Sequence, residues 1–374
     1  MAKAMSDQKA GEAATAASNP REFHVYGPRN LPCTNWRDLI NSSWKNPSYR
    51  RMVIACFIQG AYLLELDRQE KRDERTGLAP QWWRPFKYRL LQPLVDERDG
   101  SIYGAVLEWD HQAALSDYIP FRPTGAPAAV VALRGTLLKA PTFRRDVVDD
   151  LRCLAWDSLK GSVRFPGALA ALRDVARRFG AGNVCVGGHS LGAGFALQVG
   201  KALAKEGVNV ECHVFNPPSV SLAKSLRVLG ETAGELWGRA RARIPFVGSH
   251  SQPAPDSSGG NSESEAMARW SPYLYINAND YICCRYTSDA ATAGGTVMVA
   301  LPVNNRGGVG DVAGKAGVAR MLVFSTGPSN FLAAHGLEQW WAEADDVELE
   351  AALNDTKLIG RQLRSLYAAQ VAGR

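Results

Sequence analysis

The sequence predicts an α/β protein built on a mostly parallel, doubly wound sheet, and three observations carry that expectation. From Ser101 to Ser325, short β-favouring runs alternate with stretches whose apolar residues recur at helical spacing. One run, Val184-Cys-Val186, passes through Gly188-His189-Ser190-Leu191-Gly192 into a helical set made of Ala193, Phe195, Ala196, Leu197, Val199, Ala202 and Leu203. Strands alternating with helices are what crossover connections between parallel strands require. Finally, 374 residues with a 46% apolar share suffice for one large domain with insertions.

Taken in order, residues 1–30 are expected to be a flexible leader and 31–374 a single domain. Its core covers about 85–342, with an insertion at 231–271 and a C-terminal helix over about 346–370. The leader has no apolar core of a secretory signal, so a cytoplasmic protein is the expectation. A helix is predicted around Leu39 to Leu66, capped by Ser42 or Ser43. Its run Met52 to Leu64 is about 13 residues, broken by Gln59, and too short to span a bilayer. Trp82-Trp83-Arg84-Pro85-Phe86-Lys87-Tyr88-Arg89 interleaves rings with cations, which suits either an edge strand or docking at a lipid headgroup layer.

Strands are then expected at Ile102–Leu107, Ala128–Leu133, Val184–Val186, Val208–Phe215, Tyr273–Ile276 and Met321–Ser325. Helices are expected over Asp146–Leu159 and Val163–Phe179, with Gly180 ending the second. Glu231 to Ser271 opens with a cationic helical piece and passes into Ser, Gly and Pro. It reads equally as a lid over an apolar pocket or as a surface insertion. Gly314-Lys315 lacks the earlier glycine of a phosphate-binding loop.

The charge balance is 43 − 37 = +6, and no nucleic-acid-binding signature accompanies it. Seven scattered cysteines suit a reduced core better than a disulfide framework, and adjacent Cys283 and Cys284 have no metal-ligand spacing. Neither a metal nor an organic cofactor is expected.

Chemistry concentrates at Gly188-His189-Ser190-Leu191-Gly192. A serine on a sharp strand-to-helix turn exposes its hydroxyl above the sheet, and glycines two residues to either side relieve the crowding. Such a serine needs a histidine base, and the histidine needs an acid to fix its tautomer. In the α/β-hydrolase fold these follow in the order Ser, Asp or Glu, His. Of six histidines, His24 and His111 precede Ser190, while His189 sits inside the elbow. His213 is mid-strand and His250 lies in the low-complexity loop. His335, about ten residues beyond the last strand, is the expected base. Asp280 directly follows a strand, whereas Asp256, Asp289 and Asp311 do not. The loop Arg134-Gly135-Thr136 leaves a strand abruptly, so the N–H groups of Thr136 and Leu191 are the expected oxyanion donors, with Arg134 ordering the loop through Asp146, Asp149 or Asp150.

With Arg134-Gly135-Thr136, Gly188 to Ala193, Asp280 and His335 in this order, the chain resembles the class 3 (fungal-type triacylglycerol) lipases. It looks closest to a plant lipase-like branch carrying Asn-Asp-Tyr and Ala-His-Gly-Leu-Glu-Gln-Trp-Trp. The resemblance covers about residues 85–342, and Asn216-Pro217-Pro218 departs from the pattern. It implies an α/β-hydrolase fold with a lid-like insertion. It also implies ester hydrolysis, with acyl lipids as substrates, by the triad Ser190, His335 and Asp280. A transferase using the same serine and a non-catalytic lipid-binding or signalling protein are the alternatives. Peripheral contact with a lipid surface through Trp82–Arg89 and Trp237–Arg243 is compatible with the hydrolase reading.

Overall fold

Alternate residues of a strand face opposite sides of a sheet, and that period sets both faces of the core. The computed structural model describes residues 19–73, 75–137, 164–218, 269–277, 279, 280, 283, 290, 291, 298, 299, 318–324, 331–341 and 354–357. The strands are β1 (Tyr88–Val95), β2 (Ile102–Trp109), β3 (Ala129–Leu133), β4 (Val184–His189), β5 (Glu211–Phe215), β6 (Tyr273–Asn277), β7 (Ala290–Ala291), β8 (Met298–Val299), β9 (Val318–Phe324) and β10 (Asn354–Lys357). Eight form one sheet in the order β1-β2-β3-β4-β5-β6-β9-β10, and β7 pairs with β8 separately. The run β3-β4-β5-β6-β9 is parallel. Antiparallel β1 and β2 flank it on one side and antiparallel β10 on the other.

This is an α/β fold with a mostly parallel sheet flanked by helices, but its winding differs from the expectation. Strand order follows chain order, so right-handed crossovers place their helices on one face. Helices α4 (Arg164–Phe179) and α5 (Leu191–Lys205) accordingly pack together there, on Val131, Val186, Val214 and Leu274. The other face presents Val130, Cys185, Phe215 and Tyr275 and is covered by α2 (Pro47–Gln69), which precedes the sheet in sequence. The short helices α1 (Phe23–Tyr26), α3 (His111–Ser116) and α6 (Phe331–His335) complete the set.

Helix α2 begins later than expected. The Asn46 side chain accepts from the Ser48 N–H at 2.8 Å and Pro47 fills the first helical position. Ser42 instead caps the single 3-10 turn Ser43–Lys45. Over 23 residues α2 is buried on most sides, between the sheet and a layer of Trp44, Trp82, Trp83 and Phe86. No described helix is long and apolar enough to cross a membrane.

That aromatic layer overturns lipid docking through Trp82–Arg89. Trp82, Trp83, Phe86 and Tyr88 are all buried, because the chain makes 3-10 turns at Ala79–Trp82 and Arg84–Phe86 and Lys87, at φ 62°, swings it into β1. Part of the expected leader packs on the core. Phe23 meets the edge of Trp82 at 5.2 Å, and Tyr26 meets Trp341 at 5.8 Å while its carbonyl accepts from the Trp341 indole at 3.0 Å. Where a C-terminal helix was expected, residues 354–357 form a strand on β9. The predicted helix Asp146–Leu159, Trp237–Arg243 and almost all of the 231–271 insertion lie outside the described residues. At the end of that insertion, buried Trp270 donates to the Val210 carbonyl at 3.0 Å.

Candidate active site

Parallel registry aligns the carboxyl ends of the central strands. Leu133 lies opposite Gly188, His189 opposite Phe215, and Phe215 opposite Tyr275. The segments leaving this edge carry Gly135 and Thr136, Ser190, Asn216, and Asp280, and His335 arrives from α6 after β9. This edge is where open α/β sheets hold their ligands.

Between β4 and α5, Ser190 has φ 53° and ψ −123°, a strained conformation for a residue with a side chain. The flanking glycines make the turn feasible. A Cβ on Gly188 would collide with the Gly192 carbonyl, and one on Gly192 would collide with the carbonyls of Leu133 and Arg134. The Ser190 N–H donates to the Phe215 carbonyl at 2.9 Å, tying the turn to the neighbouring strand end. Leu191 opens the helix, so its N–H is among the donors that a helix start leaves without an intrahelical partner.

His335 Nε2 lies 2.9 Å from Ser190 Oγ and His335 Nδ1 lies 2.8 Å from Asp280 Oδ2. All three side chains are buried. Burial alone would raise the Asp280 pKa, but the adjoining His335 and hydrogen bonds from His335, Asn216 and Cys283 outweigh it and hold the carboxyl below its usual range. Asp280 therefore stays ionised beside an imidazole whose Nδ1 must carry the proton that the carboxylate accepts.

Asn216 is the residue that sequence reasoning missed in its role. It follows β5 in the left-handed region (φ 49°), which asparagine tolerates, and it is fully buried. Its amide donates to Asp280 Oδ2 at 2.7 Å and to the Ala334 carbonyl at 3.0 Å, while its oxygen accepts from the Trp340 indole at 2.7 Å. Thus one amide grips Asp280, the residue before His335, and the turn after it. The only sequence signal was its position, Asn-Pro-Pro at a strand end. Gln339 adds bonds to the carbonyls of Ala334 and Gly336, at 2.5 and 2.8 Å.

Thr136 is half-buried and follows Gly135, which abuts Ser190. A Cβ on Gly135 would come within 2.9 Å of both the His189 carbonyl oxygen and Ser190 Cβ, so only glycine lets this loop approach. Arg134 ties the loop to backbone carbonyls. Its guanidinium donates to the carbonyls of Ile102 at 2.5 Å and Gly135 at 2.7 Å, and Asp146, Asp149 and Asp150 lie outside the described residues. His189 turns away from Ser190, towards Tyr62 Oη at 2.8 Å and the His335 carbonyl at 2.7 Å. Burial, reinforced by His335, lowers its pKa to about 3, so it is neutral.

A strained, buried serine joined to a histidine and a carboxylate is the arrangement of an enzyme that uses serine as nucleophile. Over 356 residues the chain is 30% identical to the GDSL esterase/lipase At4g10955 of Arabidopsis thaliana, a match spanning 87% of this chain and 96% of the relative. The chain belongs to this GDSL esterase/lipase family and is an enzyme of the esterase/lipase class. No protein-family model matches it. Among solved structures, a lipase from Rhizopus microsporus var. chinensis covers 79% of this chain and 81% of its own at 12% identity, with a TM-score of only 0.30.

The membership corrects the resemblance to class 3 lipases, and the narrower α/β-hydrolase label is set aside with it. The physical reason is that Gly-x-Ser-x-Gly states a steric requirement of a tight strand-to-helix turn, which carries no lineage.

Proposed function

We propose that the chain hydrolyses carboxylic esters, acyl lipids among them, with Ser190 as nucleophile, His335 as general base and acid, and Asp280 as the group that orients His335. The observation that carries this reading is the continuous relay from Asp280 Oδ2 through both nitrogens of His335 to Ser190 Oγ, at 2.8 and 2.9 Å. Ser190 Oγ attacks the ester carbonyl while His335 Nε2 takes its proton. The N–H groups of Thr136 and Leu191 receive the developing oxyanion, since both leave the sheet edge beside Ser190. The alcohol departs with the proton from His335, and water then attacks the acyl-enzyme by the same route.

The test is labelling with a fluorophosphonate, wild type beside Ser190→Ala and His335→Ala, followed by a p-nitrophenyl ester series of increasing chain length. Labelling confined to the wild type, with turnover of the esters, is the expected outcome. A folded wild type that neither labels nor turns over any ester, with or without added detergent, overturns the reading.

A further inference from the structure

The relay accounts for one face of His335; its backbone is held by a second set of bonds. The Gly135 N–H lies 2.7 Å from Tyr62 Oη, Tyr62 Oη lies 2.8 Å from His189 Nδ1, and His189 Nε2 lies 2.7 Å from the His335 carbonyl oxygen. Donor accounting permits one arrangement. A carbonyl only accepts, so His189 Nε2 carries the proton. Its Nδ1 then accepts the single proton of Tyr62, and the Tyr62 oxygen accepts from Gly135, which only donates. Each donor and each acceptor in this chain is used once, with His189 buried and Tyr62 half-buried.

We infer that Tyr62 and His189 are positioning residues that strap the loop at Gly135, the nucleophile turn and the backbone of His335 into one catalytic geometry. This rests on the proposed roles of Ser190 and His335. Consecutive residues 189 and 190 hold the carbonyl and the ring of His335 respectively, so the base is fixed to the nucleophile at two points. The strap also commits the Gly135 N–H to Tyr62 and leaves the N–H of Thr136 as that loop's donor to an oxyanion. Tyr62 can reach this edge because α2 lies against the sheet so closely that a Cβ on Gly187 would come within 2.7 Å of Ile54. Loss of the Tyr62 hydroxyl frees His189 to take its other tautomer, which turns a lone pair on the His335 carbonyl.

Tyr62→Phe deletes only the hydroxyl, and His189→Gln keeps a donor near the Nε2 position while removing the ring. Each is expected to lower kcat on a p-nitrophenyl ester and the fluorophosphonate labelling rate by about tenfold, with KM within about twofold, because a small misplacement of a base costs rate rather than binding. The double variant is expected to lose no more than the worse single one, as residues acting through one chain of bonds are not additive. Wild-type kcat in both singles, or a loss seen in KM and additive in the double variant, overturns the strap. If Tyr62→Phe does not fold, His189→Gln decides by the same split of kcat from KM. Ser190→Ala and His335→Ala separate the two readings: labelling retained in either refutes the relay itself. Labelling lost in both, with wild-type behaviour of Tyr62→Phe and His189→Gln, refutes only the strap.

Discussion

Two buried histidines in this protein each join a carboxylate to a hydroxyl, and only one chain of bonds ends where chemistry is feasible. At the sheet edge, Asp280, His335 and Ser190 are linked at 2.8 and 2.9 Å. Inside the sheet, Glu211 lies 2.7 Å from His213 Nε2, and His213 Nδ1 lies 2.7 Å from Tyr275 Oη. The composition is nearly the same, but the surroundings differ. His213 stacks flat on Tyr273, with ring centroids 4.7 Å apart and planes 5° apart, so no substrate can approach that side of it. Arg50 already neutralises Glu211 through two bonds of 2.8 and 2.9 Å. Burial pushes the Tyr275 hydroxyl well above its usual range, and it sits mid-strand. Ser190 instead occupies a strained turn at the sheet edge, against the loop of Gly135 and the start of α5. A carboxylate–histidine–hydroxyl chain is therefore a structural clamp unless its hydroxyl is aimed at space bordered by oxyanion donors. One helix serves both: α2 offers Arg50 to the interior chain and, about 18 Å further along its axis, Tyr62 to the edge.

The largest contrast comes from removing the carboxylates. Asp280→Asn leaves His335 in the wrong tautomer and is expected to lower kcat about 10⁴-fold, as neutralising such an acid does. Glu211→Gln is expected to leave kcat within about twofold. Steady-state rates on one p-nitrophenyl ester compare the two, and equal losses would erase the distinction.

Asn216→Ala should fall between them. Removing the amide releases Asp280, the Ala334 carbonyl and the Trp340 indole together, and displacement of a catalytic group by about 1 Å costs roughly 10²-fold. An unchanged kcat would mean that Cys283 and His335 hold Asp280, and Gln339 holds the Ala334 carbonyl, without Asn216.

Stability reverses the ranking. Glu211→Gln removes the charge that Arg50 and His213 share and one of the two acceptor oxygens, in a partly buried setting, and is expected to cost about 1–3 kcal/mol by denaturant unfolding. Ser190→Ala is expected to match or exceed wild-type stability, because it relieves a polar side chain held for function.

The smallest effect is graded with pH. Burial raises the Glu211 pKa, but His213 and Arg50 outweigh it and bring it from 4.5 to about 2. For His189, burial first and His335 second lower it from 6.5 to about 3. Both groups bind protons more readily unfolded than folded, so each contributes stability above its unfolded pKa that is lost as pH falls towards its folded pKa. Thermal unfolding should thus move little above about pH 7 and shift to lower temperature between pH 6.5 and 2. In Glu211→Gln the segment from 4.5 to 2 should be shallower; an identical slope would remove Glu211 from the account.

Legibility in the sequence followed the range of the constraint. The elbow was readable because Gly188, Ser190 and Gly192 clash or fit within five residues. Asp280 and His335 were readable from chain order, since each follows a strand whose end lies at the same edge. Tyr62 carried no signal beyond a place in an apolar helix, and its partner His189 is 127 positions away. The aromatic and cationic run at 82–89 left an edge strand and lipid docking both open, because alternating rings and cations mark either, and only burial beneath α2 separates them.

By itself, then, the sequence determined the α/β class, the serine turn and the residues that leave the sheet edge, because local sterics and strand periodicity act over a few residues. Tertiary structure alone decided that Tyr62 reaches His189, that Asn216 grips Asp280 and the residue before His335 together, and that α2 covers the face left open by the crossovers. Those outcomes depend on hydrogen bonds and packing between segments separated by tens to more than a hundred residues, and no local pattern encodes where such segments meet.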